Sequence, residues 1–182
     1  MWGAIIGIIA EIKHCEAAGA TIAAVTMAYV CIDTMAYLSM PAGQTSQTRS
    51  DFIAWVNTYL KGHPDQPYEY DGLDVYAARC SLLHAFSAEA DLHRRDQNIR
   101  KFGYHDGGQH AFNPEVSPNL VIIGTASFLN DVVIAVESFI KACQQDNELR
   151  QLVESRLPAV YPTMPFPQLG QEPSVETDNT AE

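Results

Sequence analysis

Charge is scarce in this chain: Asp, Glu, Lys and Arg together make up only 18% of its 182 residues. So low a share excludes a highly charged disordered chain and requires much of the sequence to be buried in a core or against another subunit. Bases are scarcer still, 11 against 22 acids, for a net charge of −11. Such a balance excludes broad nonspecific attraction to nucleic acid or anionic membrane, so any anion site has to be local. There is no CxxC pair. Cys15, Cys31, Cys80 and Cys143 are far apart in apolar segments, which reads as buried thiols in a reducing, cytoplasmic setting rather than a disulfide or zinc framework. Glycine-rich phosphate loops, Gly-x-Ser-x-Gly and His-Glu-x-x-His are absent, as are internal repeats, which argues against nucleotide-dependent chemistry, serine hydrolysis and zinc proteolysis. No cofactor is expected.

About half the composition is apolar, and its spacing is mostly helical. Trp2, Ile5, Ile6, Ile8, Ile9 and Ile12 mark a first helix ending near Gly19. The apolar run from Ala17 to Met40 is interrupted by Thr21, Thr26, Asp33 and Thr34 and has no basic flank. It reads as a helix of about 20–38 at the centre of a bundle rather than a membrane span. Phe52, Ile53, Val56, Tyr59 and Leu60 mark a third helix capped by Thr48 or Ser50, and Asp71 caps a fourth, about 72–87. Further helices are expected over 127–143 and 147–157, with 120–123 either a strand or the run-up to the first of them.

Between these, Phe102 and Tyr104 precede Asp106-Gly107-Gly108, and Ala111 and Phe112 follow, the pattern of a small β-hairpin. His105 and His110 flank its turn and could hold a metal with Asp106. The plainer expectation is two solvated histidines, and no metal is assigned. The fold class is therefore mainly α: one helical domain over 1–160, with a β-hairpin after the fourth helix. Residues 161–182 are rich in Pro, Gln and acid, including Glu172, Glu176, Asp178 and Glu182, and read as a disordered acidic tail.

The fourth helix runs Tyr76-Ala77-Ala78-Arg79-Cys80-Ser81-Leu82-Leu83-His84. Arginine and histidine are rarely placed in apolar surroundings without a reason. Five positions apart they stand about 140° apart on a helix, so they converge only at a groove between helices or at a symmetry axis. The plainer alternative makes Arg79 half of an ion pair and His84 a cation at the helix end.

Arg-x-x-x-x-His in a helical chain of this layout, hairpin first and motif late in the fourth helix, resembles the HEPN superfamily over 1–150. The resemblance implies a helical bundle that dimerises. It further implies a metal-independent endoribonuclease acting on single-stranded RNA, of the kind that serves as a toxin or defence component with an antitoxin-like partner. Arg79 and His84 would be its catalytic residues, one neutralising the phosphate and the other moving the proton of the ribose 2′-hydroxyl. Arg94, Arg95, Arg100 and Lys101, which with Arg79 make five of the eleven bases within 23 residues, would hold the RNA backbone, unless they are only a solvated arginine-rich face. The residue after the arginine, usually polar in catalytic members, is Cys80 here. Together with the acidic balance it favours an alternative, a non-catalytic HEPN-like binding module or a structural homodimer.

Overall fold

A computed structural model describes residues 2–160; the tail expected over 161–182 lies outside the described residues. These form a mainly helical bundle with a two-stranded sheet after the fourth helix. Helices α1 (Gly3–Ala17) and α2 (Thr21–Leu38) make the first hairpin. Gly19, at φ 70°, supplies the left-handed residue that lets the chain reverse in three residues. α2 is the central element, packed against α1 and four later helices. It is long and apolar enough to cross a membrane, yet half of it is buried inside the bundle. Its inward residues Tyr29, Ile32 and Met35 join Phe52, Phe128 and Phe139 in one core.

α3 (Arg49–Tyr59) starts with a reciprocal cap: the Asp51 N–H donates to Thr48 Oγ1, and Asp51 Oδ2 accepts the Thr48 N–H at 2.6 Å. α4 (Gly72–Ala85) is capped by Asp71, whose Oδ1 accepts the Leu73 N–H at 2.7 Å. At Gly72 the two helices meet backbone to backbone. A Cβ there would stand 2.7 Å from the Ile53 carbonyl oxygen and 2.8 Å from Asn57 Oδ1. α4 closes on Phe86, at φ 46° and ψ 44°, with Phe86 N–H donating to Leu82 O and Ser87 N–H to Ser81 O.

A short helix, α5 (Asp91–Arg95), lies where no element was expected. His93, buried beneath it, accepts the Ala90 N–H on Nδ1 and donates from Nε2 to the Arg100 carbonyl, which pins α5 to the strand that follows. The expected β-hairpin does not form. β1 (Lys101–His105) pairs in parallel with β2 (Leu120–Gly124), from Lys101 opposite Leu120 to His105 opposite Gly124. Ala111, expected on the hairpin's second arm, bridges Ile122 on the other side of β2. The Gly107 turn closes instead on its own histidine, whose Nδ1 accepts the Gly107 N–H and whose Nε2 donates to Gln109 O. β2 runs straight into α6 (Thr125–Gln145), and α7 (Asn147–Arg156) ends the bundle.

Candidate functional site

Arg79 and His84 do meet, and within one chain. Nη1 of Arg79 lies 2.9 Å from Nε2 of His84. Five helical residues rise about 7.5 Å, so the extended arginine spans the distance to the last turn of α4 without help from a second copy. Asp33, the charge that interrupts α2, holds it there. Its Oδ2 accepts from Nε of Arg79 at 2.8 Å and stands 2.8 Å from Nη2 as an ion pair. Because an arginine only donates, Nε2 of His84 must present its lone pair, which puts the ring proton on Nδ1. Nε–H and one Nη1 hydrogen are thus committed, and Nη1 also reaches Cys80 Sγ, at 4.0 Å.

The cluster is at the surface. Arg79 and Asp33 side chains are about one-fifth exposed, at 21% and 22%, and His84 is exposed. Burial raises the Asp33 carboxyl above its ordinary value, although Arg79 and Gln47 bond its oxygens. Against the burial of its own charge, Arg79 is held above its ordinary value by Asp33. The plainer sequence reading therefore holds in part, since Arg79 is ion-paired, but the pair points its histidine-bearing edge outward rather than into the core.

Two of the depressions beside the cluster share a wall. The smaller, about 160 Å³, is lined by Asp33, Gln47, Thr48 and Arg79, and the larger, about 390 Å³, by Cys80, His84, Leu92 and Arg94. Both also touch Arg49 and Tyr76, so these two side chains stand between them. The Arg49 guanidinium lies 5.6 Å above the Tyr76 ring, and among the described residues it has no carboxylate partner. The motif did not point to Asp33, Arg49 or Tyr76. The signals available were a lone acid in an apolar helix and a cation in the first turn of another, where the helix dipole disfavours it.

The four expected RNA-binding bases are placed differently. Arg100 is structural: its backbone N–H and Nη1 bond the buried Asp74, and its guanidinium lies over the rings of Tyr68 and Phe112. Lys101 pairs with Glu89 at 2.6 Å. Arg94, on the rim of the larger depression, pairs with Asp91 and with Glu89. Arg95 is exposed and has no acidic partner among the described residues.

His105 and His110 do not share a ligand site. His105 is held by its own turn, as above, while His110 is buried, its Nδ1 accepting the Gly124 N–H and its Nε2 lying 2.6 Å from Tyr70 Oη. Among the described residues no three His, Cys, Asp or Glu side chains are grouped as metal ligands. Compared with protein-family models, with curated proteins and with solved structures, the chain gives no match.

Proposed function

We propose that the chain is a HEPN-like, metal-independent endoribonuclease acting on single-stranded RNA, with Arg79 and His84 as catalytic residues and Asp33 as the residue that positions them. The observation that carries this reading is the surface contact of Arg79 Nη1 with His84 Nε2, braced by Asp33 on the opposite edge of the guanidinium. Phosphate oxygens are stronger acceptors for arginine than an imidazole nitrogen. An arriving phosphodiester draws Nη1 away from His84 and frees the Nε2 lone pair. His84 then takes the proton of the ribose 2′-hydroxyl as the oxygen attacks phosphorus. Arg79 meets the negative charge gathering on the phosphate, and the 5′-oxygen leaves, protonated by a second acid or by water, with a 2′,3′-cyclic phosphate left behind. A two-fold homodimer that brings the two His84 side chains together, with the exposed Ile22 and Val30 of α2 in its interface, would supply that acid. A toxin or defence role, with an antitoxin-like partner in the cytoplasm, suits such an activity.

The test is cleavage of end-labelled single-stranded RNA in excess EDTA. Wild-type protein should release fragments with cyclic phosphate ends, and His84→Ala and Arg79→Ala, still folded by circular dichroism, should not. A wild-type protein that leaves RNA of mixed sequence intact would sink the proposal. It would leave the second reading, a non-catalytic binding module, which the pairing of Lys101 and Arg94 with Glu89 favours by damping the local positive field.

A further inference from the structure

Arg49 breaks a local rule, with an aromatic ring and no carboxylate to compensate it among the described residues. It is the first residue of α3, where the helix dipole disfavours a cation, and it is exposed. Such departures collect at functional positions. Its only partner is the face of Tyr76, and together the two rim a depression of about 390 Å³ whose other walls include Cys80, Ala85 and Leu92, with His84 and Arg94 at its edge. That volume lies within the range of roughly 300–1,000 Å³ of small-ligand sites. Glu89 and Asp91 also line it and both pair with Arg94, so one side of the wall is apolar and aromatic, and Arg49 is the lining cation that has no carboxylate partner among the described residues. This is the combination that takes a planar base and its phosphate together, since a stacked guanidinium gives its face to a base and its N–H edge to an anion.

We propose that this depression is a nucleotide subsite for single-stranded RNA, which receives a base against Tyr76 and Leu92 while Arg49 binds the adjoining phosphate. The chain of the RNA then crosses the Arg49–Tyr76 wall, so that the next phosphate comes to rest at Arg79 and His84. The larger polar groove beyond Glu89, about 820 Å³, shares Glu89 and Arg94 with this depression but is a poorer place for it, because its other cation, Lys101, also faces Glu89 and neither Arg49 nor Tyr76 lines it. The proposal rests on the ribonuclease reading for the fate of the phosphate but not for binding.

The experiment is calorimetric titration of the full chain with 2′-O-methyl dinucleotides, which cannot be cut through the 2′-hydroxyl, alongside cleavage assays on the same variants. Wild type and Lys141→Ala, an exposed base on α6 outside the lining, should bind alike. Arg49→Ala should bind at least tenfold more weakly, and Ala85→Trp, a bulky change at an exposed position on the depression's edge, should block binding with the fold unchanged. Binding with this pattern but no RNA cleavage upholds the subsite and removes the ribonuclease reading. Cleavage whose KM is unmoved by both Arg49→Ala and Ala85→Trp does the reverse. Failure of the wild type to bind any dinucleotide at millimolar concentration overturns the subsite, including the case in which a protein segment fills the depression instead.

Discussion

Nε2 of His110 lies 2.6 Å from the hydroxyl oxygen of Tyr70, and the direction of that hydrogen bond is decided from the other side of the ring. Since the Gly124 N–H donates to Nδ1, the proton of the neutral imidazole sits on Nε2 and is donated to Tyr70, whose own proton goes to Asp131 Oδ2 at 3.3 Å. Burial lowers His110 to about 4 and raises Asp131 to about 6. Unfolded, the two titrate near 6.5 and 3.9.

Their effects on stability oppose each other. Between pH 4 and 6.5 the unfolded chain holds more protons at His110, so stability rises with pH. Between about pH 3.9 and 6 the native state holds more at Asp131, so stability falls with pH. Removing one partner exposes the slope of the other. Relative to wild type, Asp131→Asn should gain stability with rising pH between 4 and 6, and His110→Gln should lose it, each by up to about 1.4 kcal/mol per pH unit. Urea titrations at intervals of half a pH unit would measure this; two variants with parallel slopes would refute the pairing of opposed groups.

Arg79→Lys should lose cleavage by about 10² or more, because an ammonium cannot bond Asp33 on one edge and reach His84 from the other as a planar guanidinium does. His84→Ala should lose about 10²–10⁴ in kcat. Both are read as initial rates on one fluorogenic RNA, and Arg79→Lys at wild-type rate would show that the fork geometry is idle.

Asp33 should act through Arg79. Asp33→Asn keeps the size of the side chain but strands a partly buried guanidinium, so stability should fall by about 1–2 kcal/mol, less than for a fully enclosed pair. The kcat should drop with KM little changed, and Asp33→Glu should recover part of it. A change confined to melting temperature would make Asp33 only structural.

Phe86 holds a left-handed conformation that favours glycine, and its ring is 75% exposed. Phe86→Gly should therefore stabilise the C-terminus of α4 by about 1 kcal/mol, which for a chain of this size raises Tm by roughly 2–4 °C. A lower Tm by calorimetry would mean that the ring is covered, for instance in a dimer.

In sedimentation the chain should run at twice its 20.1 kDa. Val30→Glu, on the exposed side of α2, should shift it toward monomer. An unchanged mass would place the two-fold axis elsewhere.

Most of the helices could be read from sequence because their signals are local. Apolar spacing marked α1, α3 and α6, one long apolar run marked α2, and Thr48, Asp71 and Gly19 sit where their chemistry ends or begins a helix. The strands went wrong for the same reason. A Gly107–Gly108 turn signals a reversal, but β1 finds a parallel partner beyond a connection over 106–119, and parallel pairing has no local signature. The site divides the same way: Arg79 and His84 stand out within one helix, while Asp33, 46 positions earlier, and Arg49, on another element, join them only through packing. Arg100 looked like a free base because its acid, Asp74, lies 26 residues away.

Gly72 stands one turn of α4 before Tyr76, at the point where α4 touches the backbone of α3. The width of the nucleotide subsite is thus a mechanical property set elsewhere. Arg49 is carried by α3 and Tyr76 by α4, so whatever separates the helices at Gly72 also separates the guanidinium from the ring. A single methyl group at that contact would behave as a wedge, widening the groove without altering one residue that lines it.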